Sequence, residues 1–145
     1  MGTNEALLSV RDLVIKFNLR GQVLTAIRGA SLDLYEGQTL AIVGESGSGK
    51  SVFTKSFLGM LDQNGWVDSG SILFEGAELS RYKSQEEWRA VRGKKIAMVF
   101  QDPMTALNPL KTIGKQIEEV LELHHGLKGL HAAKAAAEML GRVGI

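Results

Sequence analysis

Gly44, Gly49, Lys50 and Ser51 fill every fixed position of the pattern G-x-x-x-x-G-K-[ST], within the run Gly44-Glu45-Ser46-Gly47-Ser48-Gly49-Lys50-Ser51. Gly47 and Gly49 can take positive φ, which lets the backbone curl round an anion. Successive N–H groups from Gly47 to Val52 then line the concavity, at the positive end of a helix dipole. Lys50 brings a point charge that can reach the β- and γ-phosphates of a nucleotide. The Ser51 hydroxyl suits Mg²⁺, a hard cation that keeps mostly water and phosphate oxygens around it. An ordinary strand–turn–helix with a surface lysine would show some of the same glycines, so the flanking elements decide between the two.

Those elements fit phosphate binding. Thr39-Leu40-Ala41-Ile42-Val43 is apolar on both faces, as expected of a central strand buried in a sheet, and it runs directly into the loop. After the loop, Val52, Phe53, Ser56, Phe57 and Met60 recur at helical spacing, which predicts a helix from near Lys50 to Asp62. Earlier in the chain, Leu13, Ile15 and Phe17 alternate as a half-buried strand. Asn18 to Gln22 reads as a loop, and Leu32 to Leu34 as a strand ended by the turn Glu36-Gly37. Further on, Asn64-Gly65 and Ser69-Gly70 are turn signals, and Ser71 to Phe74 is a short strand. Glu86 to Arg92 predicts a short helix and Ile96 to Phe100 an apolar strand broken by Asp102-Pro103. Ile113, Ile117, Val120, Leu121 and His124 mark a long amphipathic helix, and Ala132 to Leu140 a last one.

Composition narrows the classes. The 145 residues are 44% hydrophobic and 23% charged, enough for a packed core. The 17 basic and 16 acidic residues leave +1, so no global field argues for nucleic acid. With no cysteine there is no disulfide scaffold, thiolate metal site or thiol nucleophile. Met1 to Ser9 lacks the pattern of a secretory signal, and Ala6 stands where a myristoylation signal wants Ser or Thr.

A second motif follows about fifty residues after the loop: Val99-Phe100-Gln101-Asp102-Pro103-Met104-Thr105-Ala106-Leu107-Asn108-Pro109. This run resembles the Q-loop of ABC transporter ATPases. Together with Leu40-Ala-Ile-Val-Gly-Glu-Ser-Gly-Ser-Gly-Lys-Ser51 it is similar to the ATP-binding subunits of dipeptide and oligopeptide importers, in register from about Leu7 to Ile145. The resemblance implies an α/β P-loop NTPase fold of the ABC type. It would hold an N-terminal antiparallel β region, an incomplete parallel core sheet and the start of a helical subdomain. Residues 1–145 would be the N-terminal part of one ATPase domain.

The same resemblance implies roles. ATP and Mg²⁺ would be the ligands. The nucleotide would be held by Gly44, Glu45, Ser46, Gly47, Ser48, Gly49, Lys50, Ser51 and Val52, and Mg²⁺ by Ser51 and Gln101. Asp102 to Pro109 would meet a coupling helix of a membrane permease. Phe17 would lie against the adenine, or else be a plain core phenylalanine on its alternating strand face. The partners would be a second ATPase subunit and the permease, at the cytoplasmic face of the membrane, for import of peptides. The Leu-Ser-Gly-Gly-Gln signature, the Asp-Glu strand that carries the catalytic base and the switch histidine are absent from the sequence. No catalytic base is therefore assigned, Gln101 would only assist, and this polypeptide alone is expected to bind ATP without hydrolysing it. It also follows that Leu40 to Val43 and Ile96 to Phe100 would expose apolar edges for want of a neighbour. Two alternatives are a soluble ABC ATPase without a permease and a non-catalytic nucleotide-binding module.

Other residue types that could do chemistry read as structural. His124 and His125 diverge on a helix, as surface and edge residues. Trp66 and Trp88 are expected to pack under turns, Arg92, Lys94 and Lys95 to form a solvated edge, and Glu118, Glu119 and Glu122 to decorate a solvent face.

Overall fold

The computed structural model describes residues 5–102 and 106–145. They form two compact units, one ending at Val91 and the other running Arg92–Ile145.

The first unit is built on an antiparallel sheet of order β2-β1-β3-β4. Strand β1 spans Leu8–Leu19 and β2 Gln22–Leu34. They are joined through Arg20 (φ 51°) and Gly21 (φ 86°). Two consecutive positive φ values make a turn whose twist matches the strands it joins. The Asn18 Oδ1 accepts from the Gly21 N–H at 3.0 Å. The loop expected over 18–22 thus shrinks to two residues, because both strands run on to the turn. Strand β3, Gly65–Phe74, pairs with the other edge of β1, and β4, Ala77–Glu78, follows a second turn of the same kind at Glu75 (φ 48°) and Gly76 (φ 78°).

Side chains alternate across a strand, and Leu8, Val10, Leu13, Ile15 and Phe17 of β1 form the buried row with Ile27, Ile72 and Phe74. Burying each such side chain contributes about 1.5–3 kcal/mol. The period slips between Val10 and Leu13, where Asp12 takes φ 44° and its N–H donates to Ser31 Oγ at 2.8 Å. Opposite this bulge stands Gly70, at φ 90°, where an added Cβ would lie 2.5 Å from the Arg11 carbonyl oxygen and 2.6 Å from that of Asp12. Ser69-Gly70 is therefore not the expected turn. It is the point where β3 passes over the bulge of β1 (the glycine signal was right, its cause different). Arg11 and Asp33 pair at 2.8 Å, and Lys16 and Asp68 at 2.7 Å.

Helix α1 covers Lys50–Ser56, shorter than the expected run to Asp62. Gly59 takes φ 58°, its N–H donates to the Ser56 carbonyl at 3.1 Å, and the Met60 N–H donates to Lys55 at 3.0 Å. That pair of bonds ends a helix at a left-handed glycine, and the apolar spacing of the sequence does not report it. Phe53 and Phe57 meet edge to face at 4.9 Å. Helix α2, Gln85–Arg89, starts on a capping box between Ser84 and Glu87. Trp88 of α2 is buried, its indole against Gly59 and edge to face with Tyr82 at 5.3 Å.

In the second unit, α3 (Ile113–His125) begins at Thr112, whose hydroxyl accepts from the Lys115 N–H, and ends at left-handed Gly126. Helix α4, Gly129–Arg142, packs on it; α4 buries the small residues Ala132 and Ala136, and α3 buries Leu121.

Two expected strands are not formed. Residues 39–43 are exposed and join no ladder among the described residues, and the run 96–100 makes one bridge, Arg92 to Ile96. Val43 is 87% and Val99 99% exposed. Apolar character favours a strand only where a neighbour completes the hydrogen bonds, since a strand's stability resides in its pairing. The segments foreseen as strands with exposed apolar edges are instead unpaired chain whose apolar side chains are exposed.

Candidate phosphate-binding loop and its surroundings

The loop after Val43 is shaped by its glycines. Gly47 (φ 79°) and Gly49 (φ 93°) are left-handed, and the Ser48 N–H donates to the Glu45 carbonyl at 3.2 Å. A Cβ on Gly44 would lie 2.7 Å from Ser48 Oγ, and one on Gly49 2.7 Å from Ile27 Cδ1 and 3.2 Å from the Ala26 carbonyl oxygen. The exit of the loop is thus pressed on β2 as it turns into α1, and the Phe53 N–H bonds back to Gly49 at 2.8 Å. The first N–H groups of any helix have no partner within it, which leaves them to whatever lies ahead of the N-terminus.

Lys50, the first residue of α1, folds back over the loop. Its ammonium donates to the carbonyls of Gly44 at 2.8 Å and Glu45 at 2.7 Å, and to Ser48 Oγ at 3.3 Å. Three donors thereby meet three acceptors, and the positive charge sits at the centre of the curl. Ser51 is exposed beside it, while the Thr54 hydroxyl is turned back on the carbonyls of Lys50 and Ser51. An exposed hydroxyl at the head of the helix suits Mg²⁺, which takes few protein ligands.

Phe17 is brought to the same side as the loop. A cleft of about 800 Å³ is lined by Phe17, Leu24, Gly47, Gly49, Val52 and Asp62. Phe17 itself is 9% exposed and Leu24 49%. Phe17 is therefore a core side chain that also lines the cleft.

Gln101 is exposed and belongs to the second unit, and Pro103 to Thr105 of the loop behind it lie outside the described residues. Ala106, Leu107 and Asn108 line an apolar groove of about 650 Å³ together with Gln116, Val120 and Met139. Sequence reasoning missed Gln116. Its side chain accepts from the Asn108 N–H at 2.9 Å and donates to the Asn108 and Lys111 carbonyls, each at 3.1 Å. A long amide on the face of α3 that meets the preceding segment was the available signal.

The remaining candidates resolve into structure. Glu118, Glu119 and Glu122 pair with Lys115, Lys111 and Lys128. No group of three His, Asp or Glu side chains is placed to hold a metal ion among the described residues. His124 is more covered than a surface residue, because Gly93 leaves room for its ring. Trp66 is 38% exposed with its indole N–H on Asp68 Oδ1, so of the two tryptophans Trp88 alone is tucked under a turn. No helix of the described residues is long and apolar enough to cross a membrane.

A family model described as ABC transporter matches residues 27–145. The chain is 52% identical to the "Oligopeptide transport ATP-binding protein AmiE" of Streptococcus pneumoniae, over 96% of its own length and 39% of that protein. It is 47% identical to the "Dipeptide transport ATP-binding protein DppD" of Bacillus subtilis, over 97% of itself and 42% of that protein. The chain thus spans about two fifths of the length of these relatives. Among solved structures, "Dimeric Structure of MJ0796, a Bacterial ABC Transporter Cassette" matches with TM-score 0.76 at 23% identity, covering 92% of this chain and 56% of that one. This last likeness concerns the fold.

Proposed function

The chain belongs to the ABC transporter family, and from that membership we propose that it binds ATP with Mg²⁺ at Gly44–Ser51 as the N-terminal part of a peptide importer's nucleotide-binding subunit. The observation that carries the reading is Lys50, a helix-leading ammonium centred in a loop with two left-handed glycines. Phosphate oxygens compete well for such a charge, because hydrogen bonds between ionised partners are about twice as strong as neutral ones. Ser51 would be the metal's protein ligand at the loop, with Gln101 as a second, and Mg²⁺ when bound would neutralise phosphate charge. Glu45, Ser46 and Val52 complete the backbone cradle, and Phe17 supports the base.

In the whole protein this binding would drive ATP hydrolysis coupled to peptide uptake. The subunit would sit peripherally at the cytoplasmic face of the membrane, with a second ATPase subunit opposite it. The relatives' names support the peptide-import reading, and the groove beside Ala106 to Asn108 supports docking of a permease on the second unit. Alone, the chain would bind without turnover, since none of its residues is assigned to orient the attacking water.

Calorimetric titration with ATP, with and without Mg²⁺, tests the proposal. Saturable one-site binding, competed by inorganic tripolyphosphate, is expected. Absence of binding at millimolar ATP would sink it.

A further inference from the structure

Phe17 stands between Leu24 of β2 and Gly65 of β3, each its direct cross-strand partner, so the three share one face of the sheet. Their environments differ. Gly65 does not take a positive φ, so its backbone does not demand glycine; the space above it does. An added Cβ there would lie 2.5 Å from Phe17 Cε1 and 2.9 Å from both Cδ1 and Cζ. The ring has settled onto the bare backbone of β3, and this is why Phe17 is nearly closed to solvent while Leu24 on its other side is half open. Paired bonds fix the corner: the Asn18 N–H donates to the Asn64 carbonyl at 2.8 Å, and Asn64 Nδ2 to the Asn18 carbonyl at 3.0 Å. The Gly65 N–H is held by the Asp62 carbonyl at 2.8 Å.

We propose that Gly65 is a positioning residue for nucleotide binding: it seats the Phe17 ring against β3 and so keeps open the slot between that ring and the exposed side chain of Leu24, which the base enters. The inference rests on the reading of Gly44–Ser51 as a triphosphate site, which opens on the same cleft through Gly47 and Gly49. Neither Leu24 nor Phe17 has a polar atom to offer the edge of a base. What they provide is an apolar surface, which accepts any base through its π-face. A side chain at 65 would push a rigid ring toward Leu24 and fill the slot.

The test compares ATP with inorganic tripolyphosphate, which has the phosphates and no base, in the full chain. Gly65→Ala should weaken ATP about tenfold while tripolyphosphate affinity stays within about twofold, and adding Phe17→Leu should restore most of the loss. Leu24→Ser, at an exposed position that does not threaten folding, should weaken ATP about fivefold and leave tripolyphosphate unchanged. Equal losses of both ligands in these variants, or ATP affinity unaltered by Leu24→Ser, would overturn the inference while the phosphate site stood. Failure of the unaltered chain to bind either ligand would instead remove the phosphate site, and the inference with it.

Discussion

The ammonium of Lys50 donates to the carbonyl of Gly44 at 2.8 Å, tying the last fixed lysine of the loop to its first glycine. One charge therefore serves two ends: it holds the curl of the backbone and faces whatever anion the curl accepts. Lys50→Ala removes both. Loss of a charged hydrogen bond costs about 1.5–3 kcal/mol, or roughly a 10- to 150-fold rise in the Kd for ATP, enough to abolish tight binding. Calorimetry of the variant checks this, and an unchanged Kd would defeat the assignment of the loop.

Gln101 should separate binding from coupling. In a transporter assembled as proposed, Gln101→Ala is expected to leave the ATP Kd within about twofold while permease-stimulated hydrolysis falls strongly. Measurement of both on one preparation decides the matter; a larger effect on nucleotide affinity than on coupling would count against the assigned role.

Gly59 ends α1 and makes room for the Trp88 indole. Gly59→Ala would strain a residue at φ 58° and displace a buried tryptophan, for a cost of about 1–3 kcal/mol. Denaturant unfolding followed by tryptophan fluorescence should show a lower midpoint and altered native emission. A native spectrum identical to the parent's would contradict the packing of Trp88 on this glycine.

The hydrogen bond from Arg11 holds the Asp33 carboxyl below the ordinary carboxylate range. For a depressed folded value, the stabilisation is complete above the unfolded value near 4 and disappears as pH falls through the lower, folded one. Asp33→Asn should accordingly lower the melting temperature slightly at neutral pH, with the gap to the parent closing below about pH 4. A gap that widened on acidification would exclude the pair as its source. Because Arg11 is exposed and Asp33 only half-buried, added salt should shrink it.

The loop was legible because its chemistry is local: Gly44, Gly49, Lys50 and Ser51 carry their meaning in their own spacing. Helices α3 and α4 were legible for a similar reason, since the periodicity of each lies within its own segment. What escaped depends on partners distant in sequence. Residues 39–43 have the composition of a buried strand, yet pairing, which composition does not encode, decides whether one forms. Ser69-Gly70 carried a true glycine signal whose cause, the bulge at Asp12, lies on another strand. Phe17 could be placed on a strand, but its burial depends on Gly65, which no local rule connects to it. The brace from Gln116 to Asn108 is of the same kind.

Thr39-Leu40-Ala41-Ile42-Val43 has consequences for the behaviour of many copies together. Five consecutive uncharged residues of this kind, without proline and with open backbone groups, are a template on which identical segments from other molecules can stack. A net charge of +1 gives the copies little reason to stay apart. The chain's solubility ceiling is then governed by the meeting of these segments, so a lysine placed at Ala41 should raise it more than the same lysine placed on the well-paired hairpin.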